Sequence, residues 1–245
     1  MSCIQEKSVS VPTLDCDLGN TRVKWRFGSS QGEGAFEDRD CFQLLGVARV
    51  RLASVLSREL TETWIRRCEL AWPGVIVDLP QVEPLSCGLV PAYKNPESMG
   101  IDRWLALAAV WEPGLAVCSV SAGTALTIDF ADADGQHLGG YIAPGIDLGR
   151  RALGEHTARV RSQHSRLFDA QLSPGKDTKT CVEHALRLAH VGLIKEAVSR
   201  VESRSQPFDV IHLSGGNARW LAPLLEREVK IHRNLVLDGL AKVLP

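Results

Sequence analysis

Cys16-Asp17-Leu18-Gly19-Asn20-Thr21 ends a short apolar run that begins at residue 11, and residues 22–27 then alternate polar and apolar. An apolar run, a glycine turn and an alternating segment predict strand, tight turn, strand. Val120-Ser121-Ala122-Gly123-Thr124-Ala125 lines up with it in the second half of the chain, again between an apolar run (116–120) and a second strand pattern (125–131). Two unrelated hairpins would give the same short match, so the elements around it must carry the argument. Strand patterns recur at 47–52, 74–79, 137–143, 210–213 and 229–232. Helical spacing recurs at 57–69, from 97 to just before Pro113, and at 147–153, 178–201, 218–228 and 235–243. Each half thus opens on strand, glycine turn and strand, then adds helices. The expected fold is α/β: two duplicated halves, 1–115 and 116–245, with ligand in the cleft between them at strand ends.

The bulk numbers narrow the function classes. With 44% hydrophobic and 23% charged residues, the 245-residue chain has ample material for a core. Lys plus Arg (28) nearly cancels Asp plus Glu (29), so neither nucleic acid nor an anionic membrane is the expected partner. Residues 1–12 are polar and carry Glu6, unlike a signal peptide, and no apolar run approaches the ~18–20 residues that cross a bilayer. The seven cysteines stand singly with no C-x-x-C pair. That argues against a zinc or dithiol centre and for a reducing, cytoplasmic setting.

Four glycine-centred turns are the candidate site. In Asp17-Leu18-Gly19-Asn20-Thr21-Arg22-Val23-Lys24, Gly19 permits a tight turn whose N–H groups converge on phosphate oxygens. Thr21 and Asn20 add donors there and Lys24 a point charge, while Asp17 suits Mg²⁺ directly or through water. The second half offers Gly123-Thr124-Ala125 with Asp129 as a further acidic group near the metal. Gly139-Gly140-Tyr141-Ile142-Ala143-Pro144-Gly145 is slim enough for close approach of a substrate. Ser214-Gly215-Gly216-Asn217 leads a strand into a helix, where N–H groups favour phosphate or sugar. Gly100-Ile101-Asp102-Arg103 opens a helix. Its dipole should keep Asp102 ionised, ready to orient a hydroxyl and take its proton, while the Arg103 fork can grip a substrate carboxylate. The arginines at 150, 151, 159, 161 and 166, with His156 and His164, read as a solvated helix and loop. These parts suit phosphoryl transfer from ATP to an alcohol.

Read in order from about residue 14 to residue 240, the Asp17–Lys24 turn, Tyr93 with Gly100-Ile101-Asp102-Arg103, the Gly123–Asp129 stretch and Gly139-Gly140-Tyr141-Ile142-Ala143-Pro144-Gly145 resemble the type III pantothenate kinases. The resemblance implies two RNase H-like, actin-like ATPase domains. It also implies a homodimeric cytoplasmic enzyme that uses ATP and Mg²⁺ to phosphorylate pantothenate, the first step towards coenzyme A. On it, Asp17, Leu18, Gly19, Asn20, Thr21, Arg22, Val23 and Lys24 line the ATP phosphates, with Thr124, Gly215 and Gly216 also at the nucleotide. Tyr93, Gly100, Ile101, Asp102 and Arg103 hold pantothenate, with Asp102 as proton acceptor, and Thr178 reaches it across the dimer interface. The family has an aspartate where this chain has Ser121, at the site of a monovalent cation (K⁺ or NH₄⁺); a hydroxyl is a poorer cation ligand, so weakened or altered activation by K⁺ is expected. A non-catalytic nucleotide-binding regulator on the same scaffold is the alternative. A sugar or acetate-like acceptor is disfavoured by the G-x-D-R-W stretch.

Overall fold

Alternate residues of the first strand, β1 (Thr13–Leu18), bury Leu14, Cys16 and Leu18 completely, as a strand with one apolar face must. In this computed structural model, which describes residues 11–86, 88–157 and 172–245, β1 pairs antiparallel with β2 (Val23–Phe27) and parallel with β4 (Arg49–Ser54). β3 (Ser30–Gly34) extends the sheet beyond β2, and β5 (Ile76–Asp78) beyond β4. α1 (Arg58–Ala71) links β4 to β5 and lays Trp64 and Cys68 on the apolar face. Ser57 starts this helix by accepting a hydrogen bond from the Leu60 N–H at 3.3 Å.

The second sheet repeats this plan. β6 (Val117–Ala122) pairs antiparallel with β7 (Ala125–Ala131), and β7 antiparallel with β8 (His137–Pro144). On its other side β6 pairs parallel with β9 (Ile211–Ser214), and β9 parallel with β10 (Val229–Ile231). Counted from its own first strand, each sheet therefore runs third, second, first, fourth, fifth. α2 (Ile101–Val110) precedes β6. α3 (Ile146–His156) and α4 (Thr178–Glu202) join β8 to β9, α5 (Ala218–Leu221) follows β9, and α6 (Leu235–Val243) closes the chain. The chain is thus α/β with two five-stranded sheets.

Two compact units result: Met1–Pro80 with Leu240–Pro245, and Gln81–Gly239. Segment 81–115, which the sequence reading grouped with the first half, is held by its contacts in the second unit, because α2 packs against β6 and β7. The chain's last residues are tied into the first unit by Arg49, which donates to the Pro245 carbonyl (2.7 Å), and Arg51, which donates to that of Leu244 (2.9 Å). In the second unit, Val120, Leu126, Ile128, Phe130 and Leu213 meet Ile194 and Val198 of α4. Burying each such side chain contributes about 1.5–3 kcal/mol.

The differences from the sequence reading have local causes. β3 was not expected, since Ser30-Gln31-Gly32-Glu33-Gly34 lacks β-branched and aromatic residues. It forms because Gly32 lets the Trp25 indole lie across it: a Cβ there would sit 2.6 Å from the ring. The helix expected from 97 begins at Ile101, after a short 3-10 turn at Pro96–Ser98. The helix expected over 218–228 stops at Leu221, where a 3-10 turn containing Pro223 replaces it; proline has no N–H for the ladder and crowds the preceding turn. Arg150, expected in solvent, is buried and clamped by Glu183 (2.5 and 2.9 Å) and by Asp147. Arg159, Arg161, Arg166 and His164 lie outside the described residues. So do Cys3 and Cys87; Cys16, Cys41, Cys68 and Cys118 are free and buried. Burial pushes the Cys41 thiol up to about 11 and that of Cys68 up to about 12, as for unreactive core thiols. Among the described residues no helix is long and apolar enough to cross a membrane.

Candidate active site

The second sheet is two-faced, and the site sits on its polar side. Cross-strand partners share a face, so Ser119, Asp129 and Gly140 form one row and Ser121, Thr127 and Ile142 the next. α2 lies over these rows, because its Arg103 reaches Asp129. The guanidinium donates from Nε to Oδ2 (2.9 Å) and from Nη2 to Oδ1 (2.6 Å), a bidentate pair that is almost wholly buried. Nη1 donates to the Tyr93 hydroxyl at 2.9 Å. Burial pulls the Arg103 pKa down, but Asp129 and Tyr93 outweigh it and hold the group charged. Gly140, expected to leave room for a substrate, leaves room for this pair: a Cβ there would collide with Asp129 Oδ1 and the Ile128 carbonyl, and sit 2.9 Å from Arg103 Nη2.

Asp102 is the second residue of α2 and half-buried. Burial raises its pKa; the Arg103 backbone N–H and guanidinium pull it back, and Asp129 adds to the rise. The sequence reading expected the helix start to favour the ionised form. Desolvation wins instead, which makes the ionised carboxylate more basic. Its carboxylate folds back over Gly100, where a Cβ would come within 2.6 Å of Oδ1.

Three of the expected turns meet at one end of this sheet. The Gly145 N–H donates to the Thr124 carbonyl (3.0 Å), the Gly123 N–H to that of Ala125 (3.0 Å), and the Asn217 N–H to that of Ala122 (3.1 Å). Gly215, at φ +94, has no room for a Cβ, which would lie 2.5 Å from Ala122 backbone atoms. Beside Gly216 there is open space. Thr124 is exposed and Ser121 half-buried. Ser121 pairs across strands with Thr127 and Ser214, so its row offers hydroxyls and no carboxylate.

In the first unit the Asp17–Lys24 stretch is the β1–β2 hairpin. Asp17 and Lys24 are direct cross-strand partners, both half-buried, and the Gly19 N–H closes the turn on the Arg22 carbonyl at 3.0 Å. Asn20, Thr21 and Arg22 are exposed, with Arg22 bonded to Glu33 at 2.7 Å. Leu18 and Val23 are core residues, so only their backbone can face a ligand. Sequence reasoning missed Asp15, buried one pleat from Asp17 and clamped by Arg26 (3.1 Å) and Arg51 (2.6 Å); an aspartate within an apolar run was its signal. It also missed His137, which gave no signal in the sequence.

Two expected residues stand in other surroundings than the sequence reading gave them. Asp129 has both oxygens on Arg103, and among the described residues no three His, Cys, Asp or Glu gather as a metal centre. Thr178 is the first residue of α4, whose start is capped by Asp177 and Thr180. It lines an open pocket of about 570 Å³ with Leu153, Gly175, Lys176, Asp177 and Cys181, a lining that includes none of Tyr93, Asp102 and Arg103.

Known proteins match this arrangement along nearly the whole chain. The profile of the type III pantothenate kinase family matches residues 13–200. Type III pantothenate kinases of Marinobacter nauticus and Cellvibrio japonicus are 35% and 33% identical, over 93% of this chain and 96% and 94% of theirs; that of Pseudomonas aeruginosa is 34% identical over 95% and 98%. Among solved structures, a Campylobacter jejuni protein described as a Baf family transcriptional activator has a TM-score of 0.62 at 19% identity, over 94% of this chain and 96% of its own. MreB5 of Spiroplasma citri bound to AMPPNP has a TM-score of 0.50 at 10% identity over 94% and 95%; at such identities the likeness is one of fold. By profile match and by identity across its length, the chain belongs to the type III pantothenate kinase family.

Proposed function

We propose that the chain transfers the γ-phosphoryl group of ATP to the hydroxyl of pantothenate, giving 4'-phosphopantothenate and ADP. The observation that carries this reading is the start of α2, where a half-buried carboxylate of raised pKa stands next in sequence to a buried, charged arginine. Asp102 takes the hydroxyl proton as the new O–P bond forms and the bond to the β-phosphate oxygen breaks. Arg103, bonded through three of its five N–H groups, keeps two for the acceptor carboxylate, and the Tyr93 hydroxyl, which accepts from Nη1, still has its own hydrogen to donate. The exposed Asn20–Arg22 turn and Lys24 take the phosphates, joined by Thr124, Gly215 and Gly216. Asp17 at the strand end fits Mg²⁺, whose bound charge offsets that of the phosphates. The common strand order of the two sheets supports descent from one duplicated RNase H-like unit, in place of the 1–115 and 116–245 halves read from the sequence.

The test is ADP release coupled to ATP, Mg²⁺ and pantothenate. Turnover is expected only when all three are present, and ATP binding without pantothenate-dependent turnover would reverse the conclusion. Run with K⁺ or NH₄⁺ in place of Na⁺, the same assay should show little activation, because Ser121 offers no charge; a strong, saturable K⁺ requirement would count against that. A homodimer in the cytoplasm, with Thr178 completing the partner's acceptor site, belongs to this reading. Sedimentation should give twice the chain mass, and a monomer with full activity would remove Thr178 from the site.

A further inference from the structure

We propose that His137 is a positioning residue for the acceptor pocket, acting through Asp129 and the loop that carries Tyr93. The imidazole is fully buried at the first position of β8. Its two nitrogens face opposite demands. The Ala92 backbone N–H donates to Nδ1 at 3.4 Å, so Nδ1 carries the lone pair; Nε2 then bears the hydrogen and faces Asp129 Oδ1 at 3.3 Å. Asp129 Oδ1 is the oxygen that also accepts from Arg103 Nη2. His137 thus fixes the rotation of the carboxylate that aims the Arg103 fork.

The same residue secures the other half of the pocket. The His137 N–H donates to the Val90 carbonyl (2.9 Å) and the Val90 N–H to that of Gly135 (2.8 Å), so the loop before Tyr93 is laced to the β7–β8 turn. The Tyr93 ring stacks on the imidazole with centroids 6.0 Å apart and planes 14° from parallel. Tyr93 and Arg103, the two groups assigned to the acceptor, therefore share one buried support, and among the described residues its hydrogen bonds and ring contacts are to Asp129, Val90, Ala92, Tyr93 and Trp104, none of them assigned to ATP. The prediction is a selective effect on the acceptor, and it rests on the kinase reading above.

His137→Phe keeps a stacking ring and removes both nitrogens, whereas His137→Gln returns an amide N–H able to reach Asp129. Losing a hydrogen bond to a buried carboxylate should raise the pantothenate KM about tenfold in His137→Phe, with the ATP KM unchanged within roughly twofold. His137→Gln should recover most of the loss. An unchanged pantothenate KM in folded His137→Phe, or both KM values rising together without rescue by Gln, overturns the proposal. The unaltered protein supplies an independent measurement, since long-range ¹H–¹⁵N correlation reads the tautomer directly. An Nε2–H imidazole is expected, and an Nδ1–H imidazole refutes the hold on Asp129 even if the Phe variant fails to fold. Absence of pantothenate turnover in the unaltered chain would instead sink the kinase reading, leaving the tautomer result to judge His137's hold on Asp129.

Discussion

Asp102→Asn is expected to lower pantothenate-dependent turnover by about a hundred- to ten-thousandfold, the contribution of a positioned base, with no loss of stability. Asparagine keeps the shape and can accept the same backbone hydrogen bond, but it cannot take a proton. The stability half of the prediction follows from linkage. Burial raises the folded-state pKa of Asp102 above its unfolded value. The folded protein then holds this proton more tightly, and the carboxylate's contribution to stability falls as pH rises from the unfolded value through the folded one. Above the folded-state value the penalty is complete, so removing the charge there should leave the melting temperature unchanged or raise it. The base must be unprotonated to act, so the acid limb of the kcat profile should lie above the range of an ordinary aspartate, and Asn should abolish it. ADP release and thermal melting on the same sample check both halves; a fully active Asn variant would remove Asp102 from the base role.

Asp129→Ala is expected to produce the largest loss of stability. It strands the Arg103 charge in a site where the pair is almost wholly buried. Removing one partner of such a pair costs about 3–5 kcal/mol, equivalent to a fall on the order of 10 °C in melting temperature. Replacing both partners with apolar residues of similar size, Arg103→Met with Asp129→Leu, should regain most of the stability but not the activity, because the donors for the acceptor are gone. Gly140→Ala should weaken the same pair from the backbone side, since a Cβ has no room beside Asp129 Oδ1. A single Asp129→Ala variant that melts with the wild type would show that the pair is not a structural linchpin and that Arg103 finds water or another carboxylate.

Strand and helix identities were legible where burial has a period. β7 and α6 begin and end where their patterns do, because one apolar face of a strand or helix writes itself into the spacing of side chains. β3 was invisible because an exposed edge strand with two glycines buries nothing of its own; Trp25, from the neighbouring strand, supplies the contact. The end of α5 was misread because helical spacing continues past Pro223 while the hydrogen-bond ladder does not.

The site divides the same way. The glycine turns and the Asp102-Arg103 pair were readable, since a tight turn and a helix start need particular residue types at fixed short spacing. The buried partners were not. Asp129 stands 26 residues from Arg103, and nothing in either stretch says that the fork would close on that carboxylate rather than on a substrate; only strand register and the seating of α2 bring them together. The direction of the Asp102 shift followed suit: local sequence predicted stabilisation of charge by the helix start, and burial by distant segments reversed it. His137 is the extreme case, for its tautomer is set by one neighbour 45 residues away and its task by another 8 residues away. Sequence alone therefore determined the family, most of the element types and the glycine turns and polar side chains that are candidates for the reaction, since these depend on residue type and short-range spacing. Tertiary structure decided which of those groups are paired, buried and aimed, because desolvation and hydrogen bonding act between residues that are neighbours only in space.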